Sequence, residues 1–454
     1  MMLNQPQEQT LWGHPKGLYV LFFTELWERF SYYGMRAILI LYLTAQTTEL
    51  NAGLGWDKVS ALEIYGWYTM FVYVMSVPGG LLADRFIGQK KAVMVGGVFI
   101  IVGHFFLVFP ELWAFYVGAA SIIIGVGCLK PNISSMVGGL YQRGDIKRDT
   151  AFTIFYIGIN IGAFTAPLIV GYVGEVINWN LGFGLAGVGM TLGLIVYMWG
   201  QKYLKEIGNF VPVVREIGTN KSVPLTVIEK DRMIVLLLSF LIVIVFWGAY
   251  EQAGGLMNLY ARDKIDRVMF GVTIPASFLQ SLHAFYVILF GVPVAYFWTK
   301  WRSKGRESSS LFKMGLGTII TGLGFLLLAF AALETASSLD GKASIYWMFG
   351  AYFLHVIGEL SISPVALSFI TKLAPIKYAS LMMGAYFMVS GLGNKLAGII
   401  GEAAQNAGEF TIFMGVLIFC VSFGLLLIVF VKKLKKLTHG ADDDEQKIVM
   451  VEAE

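Results

Sequence analysis

Six polar or ionisable residues recur at helical spacing within one apolar stretch near the N-terminus. The stretch runs from about Leu18 to Thr44, and the six residues are Glu25, Glu28, Arg29, Tyr32, Tyr33 and Arg36. At about 100° per residue they share an arc of about 140° on one helix face. A charge near the centre of a bilayer costs a few kcal/mol even on insertion scales. We therefore predict that this face lines a wet cavity, where its charges bind a charged ligand or exchange a proton.

The opposite face of the same helix is apolar. Trp27, Phe30 and Gly34 point away from the polar arc, towards lipid or neighbouring helices. The alternative interpretation is a buried ion-pair cluster that only holds helices together. Burying a balanced group of charges in lipid costs more free energy than the attraction between the charges supplies, so a functional role is favoured.

The composition is that of a polytopic helical membrane protein. The chain has 454 residues, of which 56% are hydrophobic and 14% charged, and a mean hydropathy of +0.67. Soluble domains are about 25% charged. The net charge of +4 is small and lies in loops, so it indicates membrane orientation rather than nucleic-acid binding.

Neither the cysteines nor the N-terminus suggests covalent processing. Cys128 and Cys420 fall in apolar segments far apart in sequence, so we expect small buried hydrophobes rather than a disulfide or a metal site. The segment 1–17 lacks a basic n-region and a small-residue cleavage site. We expect no removable signal peptide, with the first helix acting as its own insertion signal.

Apolar runs long enough to cross a bilayer predict an all-α fold with twelve transmembrane helices in two six-helix bundles. The runs lie near residues 18–45, 61–83, 91–109, 112–140, 149–173, 181–203, 233–256, 275–299, 312–333, 345–371, 378–401 and 409–431. The predicted domains are a cytoplasmic N-terminus at 1–17, bundles at 18–203 and 233–431, a cytoplasmic linker at 204–232 and a cytoplasmic tail at 432–454, which is acidic from Ala441 onward.

Loop charges predict the orientation. Lys and Arg follow spans two, four, eight and twelve, whereas the loops after spans three, five and eleven have none. Both termini should therefore be cytoplasmic. One loop disagrees, because the basic residues Arg262, Lys264 and Arg267 fall on the predicted outer side.

A loop and five further motifs resemble the patterns of known transporters. The loop Gly79-Gly80-Leu81-Leu82-Ala83-Asp84-Arg85-Phe86-Ile87-Gly88-Gln89-Lys90-Lys91 resembles the signature of the major facilitator superfamily. Residues 25–34 resemble the defining motif of the proton-dependent oligopeptide transporters. The other four motifs that resemble this family are Lys130-Pro131-Asn132, Phe155 to Gly162, Phe246-Trp247 with Glu251-Gln252, and Gly358-Glu359 with Ser363-Pro364-Val365.

The resemblance implies proton-coupled symport of di- and tripeptides by alternating access, in the bacterial inner membrane, by a monomer without cofactors. Proton coupling would use Glu25, Glu28 and Arg29. The peptide carboxylate would meet Arg29, Arg36, Tyr33 and Lys130, and the ammonium would meet Asn160 and Glu359. Side-chain pockets would be lined by Tyr32, Tyr73 and Trp247. Two gating salt bridges would join Arg36 to Glu251 and Lys130 to Glu359.

The chemistry of these residue types agrees with that implication. A dipeptide carries a carboxylate at one end and an ammonium at the other. Guanidinium and ammonium side chains suit the first end, and a carboxylate with an amide suits the second. Aromatic walls accept varied side chains. If a peptide carboxylate competes for Arg29, the freed glutamate takes up a proton more readily.

The chain departs from the family pattern at several positions. The linker is too short and too charged for the two extra helices of many bacterial members, and Tyr65-Gly66-Trp67 in span two lacks the histidine of animal members. His283 stands where relatives usually have Asn, and Tyr386 where they often have Trp. His283 either contacts the peptide ammonium, titrates, or bonds a neighbouring backbone. His355 lies one turn before Glu359 and could face the cavity, and His104 is expected to pack.

Other function classes fit less well. A symporter of the same fold for another small anion or zwitterion, such as nitrate, is the main alternative, since plant relatives of the resembled family take nitrate or hormones. Retention of Glu25, Lys130 and Glu359 favours peptide. An enzyme would need a nucleophile elbow or zinc spacing, which the sequence does not show. A channel would need a continuous pore.

Overall fold

The computed structural model describes residues 10–142, 145, 147–210, 225–375 and 378–442. Several features of the sequence lie outside the described residues. They include the first nine residues, Arg143 in the loop after span four, Arg215 and Lys221 in the linker, and the acidic tail from Asp443 onward.

Long helices make up nearly all of the described chain. Those before the linker are α1 (Lys16–Thr44), α2 (Lys58–Val74), α3 (Ser76–Leu82), α4 (Gln89–Leu107), α5 (Leu112–Gly139), α6 (Lys147–Tyr172) and α7 (Trp179–Leu204). Those after it are α8 (Val227–Tyr250), α9 (Leu256–Lys264), α10 (Ser281–Ser303), α11 (Ser310–Ser337), α12 (Tyr346–Leu373), α13 (Ala379–Ala407) and α14 (Glu409–Leu437).

Short strands and turns complete the described elements. Strand β1 (Thr10–Leu11) pairs antiparallel with β2 (His14–Pro15), β3 (Ile265–Asp266) pairs parallel with β6 (Ala343–Ser344), and β4 (Val268–Met269) pairs antiparallel with β5 (Val272–Thr273). Turns of π-helix at Ala83–Ile87 and Val173–Ile177 extend α3 and α6. Turns of 3₁₀-helix at Glu251–Ala253 and Ala276–Gln280 precede α9 and α10.

Within the described residues, ten helical segments are long and apolar enough to cross a membrane. They confirm the prediction of an all-helical, membrane-spanning fold. Helices α1 and α13 are not among the ten, although each has 29 residues. Helix α1 carries the four charges of the polar face, which lower its apolar character. The count of twelve spans stays a prediction.

The chain divides into two compact units. The first comprises Met1–Gly55 and Phe71–Arg215, and the second comprises Trp56–Met70 and Glu216–Glu454. Most of α2 therefore groups with the helices that follow the linker. Glycines make this packing close, since a Cβ on Gly66 would lie 3.1 Å from Cα of Gly398 on α13.

In the first unit, α6 and α7 pack on the apolar face of α1. A Cβ on Gly162 of α6 would lie 2.4 Å from the Leu26 carbonyl oxygen, and one on Gly189 of α7 would lie 2.6 Å from the Phe30 ring. Only a residue without a side chain permits backbones to approach this closely. The apolar face therefore packs on neighbouring helices, which fixes the direction in which the polar face points.

In the second unit, α8 begins at Val227, before the predicted start at residue 233. The reason is a capping box, in which Thr226 accepts from the Glu229 N–H at 3.2 Å and the Glu229 carboxylate accepts from the Thr226 N–H at 2.8 Å. The charged residues that argued for a linker thus form the first turn of a helix. Helix α14 likewise runs to Leu437, beyond the predicted end at residue 431.

Candidate functional site

Three charged side chains form the first cluster, which consists of Glu25, Glu28 and Arg29 on α1. Arg29 Nε lies 3.1 Å from Glu25 Oε1, at the i,i+4 spacing, and also bonds Glu28 Oε2. All three residues are buried. One permanent positive charge therefore lies between two carboxyl groups, and the charges are balanced only if one carboxyl is protonated or another cation contributes.

Each member of the first cluster keeps unused hydrogen-bonding capacity. Glu25 Oε2, Glu28 Oε1 and Arg29 Nη2 are buried and have no hydrogen-bond partner among the described residues. A buried polar atom left without a partner costs about 1–3 kcal/mol, and more when it is charged. The cluster therefore has a free N–H for an anion and free carboxyl oxygens for a proton.

Three cations of the first unit, including Arg29 of the first cluster, lie over tyrosine rings. Lys130 Nζ lies 3.8 Å from the Tyr73 ring centroid, and the guanidinium carbons of Arg29 and Arg36 lie 5.3 Å and 5.8 Å from the rings of Tyr32 and Tyr33. These distances are within the range of cation–π attraction. Lys130 also interacts electrostatically with Glu25, which brings α5 to the polar face of α1.

Asn160 lies on α6. Its Nδ2 donates to the Tyr156 carbonyl at 2.9 Å, and the residue is buried. Two residues further on, a Cβ on Gly162 would lie 3.0 Å from Arg29 Cβ. Positions 160 and 162 are about 200° apart around a helix, so this contact does not bring Asn160 to the first cluster, and the role of Asn160 stays a prediction.

The second cluster, in the second unit, is built around one carboxylate and consists of Glu359, Tyr250 and His283. Glu359 Oε2 accepts a hydrogen bond from the Tyr250 hydroxyl at 2.7 Å and lies 2.9 Å from His283 Nε2, within hydrogen-bonding distance. The rings of Tyr250 and His283 meet edge to face with centroids 5.2 Å apart. Helices α8, α10 and α12 each contribute one member.

Tyr250 was not predicted from the sequence. It lies three residues after Trp247, and their rings are 5.4 Å apart, so the i,i+3 spacing from a residue already selected was an available signal. The 3₁₀ turn at Glu251–Ala253 follows directly and holds the buried Glu251.

Aromatic side chains adjoin the second cluster. Tyr386 on α13 is buried, shares a side-chain hydrogen bond with Trp247 and interacts electrostatically with Glu359. The second unit thus brings together four predicted residues, namely Trp247, His283, Glu359 and Tyr386. They form an acidic corner with an aromatic wall.

The other two membrane histidines differ in their partners. His104 Nε2 lies 2.8 Å from Ser31 Oγ, away from the polar face, which agrees with the expected packing role. His355 is 2% exposed, packs on the Phe325 ring at 4.8 Å, and has no hydrogen-bond partner for either nitrogen among the described residues. Within the same part of the chain, no group of three or more His, Cys, Asp or Glu is placed to hold a metal ion.

Comparison with known proteins gives one consistent result. The sequence model described as "POT family" matches residues 90–219 and 214–413. The chain is 35% identical to a di-/tripeptide transporter of Lactococcus lactis subsp. lactis (strain IL1403), over 95% of this chain and 98% of that protein.

Solved structures agree. A crystal structure of a peptide transporter POT in complex with sulfate has a TM-score of 0.88 and 33% identity, and covers 95% of this chain and 97% of its own. A POT family transporter in complex with 5-aminolevulinic acid has a TM-score of 0.86 and 29% identity, with 94% and 98% coverage. The fold, the motifs and these similarities together establish that the chain belongs to the POT family of transporters.

Proposed function

We propose that this protein is a proton-coupled symporter that imports di- and tripeptides by alternating access. The observation that carries the proposal is the first cluster, a buried guanidinium between two carboxyl groups with an unused N–H and unused oxygens. Such a group can bind a carboxylate and take up a proton at one place. The similarity to a di-/tripeptide transporter over 95% of the chain supports the substrate class.

Each end of the peptide would have its own set of residues. The carboxylate would bind Arg29, Arg36, Tyr33 and Lys130, and the ammonium would bind Glu359 and Asn160, with His283 adjoining Glu359 in the binding site. Peptide side chains would contact Tyr32, Tyr73, Trp247 and Tyr386. Alternating access would use the salt bridges Arg36–Glu251 and Lys130–Glu359, each formed in one state and broken in the other.

Proton coupling would follow from competition for Arg29. A peptide carboxylate that bonds Arg29 weakens its hold on Glu25 and Glu28, and the freed carboxyl group binds a proton. Peptide and proton then favour each other's binding by the same factor. A membrane potential of about 100 mV supplies about 2.3 kcal/mol per proton, and each pH unit about 1.4 kcal/mol more. One proton thus suffices to concentrate a peptide by roughly a hundred-fold or more.

The same proposal includes the architecture and location. Helices α1 and α13 would also cross the membrane, giving twelve spans in bundles at 18–203 and 233–431. Both termini would be cytoplasmic in a bacterial inner membrane, and the monomer would be functional without a cofactor. In the loop whose charges disagree with this orientation, Arg262 and Lys58 both bond Asp263, at 2.7 Å and 2.8 Å.

The decisive experiment is uptake of labelled dialanine into proteoliposomes with an imposed acid-outside gradient. Accumulation should require the gradient and stop when a protonophore removes it. A competition panel of di-, tri- and tetrapeptides with nitrate then defines the substrate. Competition by di- and tripeptides only supports the proposal, whereas competition by nitrate alone contradicts it.

A second candidate substrate is a small zwitterion that is not a peptide. It is favoured by the structural similarity to a family member crystallised with 5-aminolevulinic acid. That molecule also carries a carboxylate and an ammonium, so it could use the same residues. Including it in the competition panel separates the two candidates, because a peptide carrier should prefer dialanine.

A further inference from the structure

Two side chains meet one oxygen of Glu359. The Tyr250 hydroxyl donates to Oε2 at 2.7 Å, and His283 Nε2 lies 2.9 Å from the same atom. A carboxylate oxygen accepts from both when the imidazole carries its proton on Nε2. With that tautomer, the second cluster offers an ionised Glu359 two donors, one of them able to become a cation.

Histidine is the residue type whose ordinary charge change falls between about pH 5 and 8, and His283 lies against Glu359. The titratable groups of the second unit near it include Tyr250 on α8, Glu359 and His355 on α12, and Tyr386 on α13. Tyrosine ordinarily titrates near pH 10. His355 is buried against Phe325 and has no hydrogen-bond partner among the described residues. Lys130 on α5 is the proposed gate partner of Glu359.

We propose that His283 is a titrating substitute for the substrate's ammonium group. When protonated it pairs with Glu359, and the N-terminal ammonium of an arriving peptide must take its place. The inference rests on the proposed function, because it assumes that a peptide ammonium binds Glu359.

The balance of charge is simple. Without peptide, the imidazolium compensates the carboxylate. With peptide, the ammonium does so, and a second cation beside it is repelled, so His283 releases its proton to solvent. The His283 side chain is 21% exposed and that of Glu359 is 11% exposed, so the imidazole has the freer route for its proton.

This linkage opposes the one at the first cluster. Acid favours peptide binding through Glu25 and Glu28 but disfavours it through His283, since a proton and a peptide that exclude each other do so reciprocally. Peptide affinity should therefore decrease at acid pH, and His283 alone should cause this decrease. For a histidine with the ordinary pKa of about 6.5, peptide affinity decreases about 30-fold between pH 8 and pH 5.

The test compares dialanine affinity of the purified full-length protein at about pH 5 and about pH 8. His283→Gln and His283→Asn keep a donor for Glu359 but cannot gain a proton. The control is Tyr250→Phe, which removes the other donor to the same oxygen without removing a group that titrates in this range. The ratio of wild-type to variant dissociation constants should rise about 30-fold from pH 8 to pH 5 for both histidine variants and stay constant for the control.

Proton counting gives a second measurement. Calorimetry in buffers of different ionisation enthalpy should show that dialanine binding at about pH 5 releases close to one proton more from the wild type than from either histidine variant. Should both variants fail to fold, the wild type alone decides, since one of its five histidines must change from charged to neutral in its ring ¹³Cε1 resonance when dialanine binds.

Identical pH profiles and proton counts in wild type and variants would overturn the inference. So would loss of dialanine binding by a folded histidine variant at every pH, because His283 would then be an obligatory ligand. The proposed function fails in a different way, namely if the wild type binds no dialanine at any pH.

Discussion

The first and second clusters both contain carboxyl groups inside membrane helices, but different residue types compensate the charge in each. The first holds two carboxyl groups against Arg29 within one stretch of α1. Within the described part of the chain, one oxygen of each carboxyl group and one guanidinium nitrogen have no hydrogen-bond partner. The second holds one carboxylate with donors from two other helices, Tyr250 of α8 and His283 of α10. The cation of the first cluster, Arg29, is permanent, whereas the second cluster has a cation only when His283 is protonated.

The difference assigns the proton chemistry. Arginine stays charged at all accessible pH values, so a pH change at the first cluster must act through a glutamate. At the second cluster we propose that an ionised Glu359 pairs with His283, so a pH change there would act through the imidazole. Acid should therefore raise peptide affinity through the first cluster and lower it through the second. Each of the following experiments changes one cluster or its immediate surroundings.

The largest effect is expected for Arg29→Ala. Removing the cation leaves two buried carboxyl groups without compensation, which typically costs about 3–5 kcal/mol. Proteoliposomes should show no uphill dialanine uptake, and thermal unfolding should occur at lower temperature than in wild type. Arg29→Lys is the matched control, since it keeps the charge and should recover stability more than transport. Accumulation by the alanine variant at the wild-type level would contradict the role of the first cluster.

Glu28→Gln should separate proton coupling from peptide binding. The amide keeps the shape of the side chain but cannot carry a proton. We therefore expect liposomes loaded with unlabelled dialanine to exchange it for external labelled dialanine, but we expect no accumulation of dialanine under a proton gradient. Exchange and accumulation are measured with the same labelled peptide in the same preparation. If both fall by the same factor, Glu28 serves folding or binding instead.

Glu359→Gln tests the other cluster. Loss of the carboxylate removes a charge-assisted contact worth about 1.5–3 kcal/mol, which corresponds to an increase in half-saturation concentration of roughly ten- to a hundred-fold. Lys130→Ala is the counterpart for the peptide carboxylate. Half-saturation is read from concentration series of exchange, which needs no gradient. Unchanged values in both variants would refute binding of the peptide by its two ends.

The first cluster could be predicted from sequence because its contacts are local. Glu25 and Arg29 are four residues apart, and helix geometry alone brings them together. The observed α1, Lys16–Thr44, also agrees closely with the run predicted at 18–45. Composition, spacing and helix length are sufficient here, because these contacts form within one helix and involve no other segment of the chain.

The second cluster could not be derived in this way. Tyr250 and Glu359 are separated by 109 residues, and His283 and Glu359 by 76, so their contacts depend on how α8, α10 and α12 pack. The family resemblance selected Glu359 through its motif and His283 as a departure from the pattern. The spacing of Tyr250 from Trp247 could have drawn attention to Tyr250, but it could not show that Tyr250 contacts Glu359. The same limit applies to the basic outer loop, where the salt bridge of Lys58 to Asp263 is a tertiary contact.

The smallest effect is expected for Tyr386→Trp. Tyr386 bonds Trp247 and lies near Glu359 without hydrogen bonding it, so enlarging it alters the aromatic wall and leaves the charged groups in place. A buried methylene group is worth about 0.8 kcal/mol, and a change of ring size should alter peptide preference by about threefold to tenfold. The measurement is competition by a series of Ala-X dipeptides against labelled dialanine. A uniform loss for every peptide would mean that Tyr386 supports the second cluster rather than a side-chain pocket, and would extend that cluster to a fourth helix.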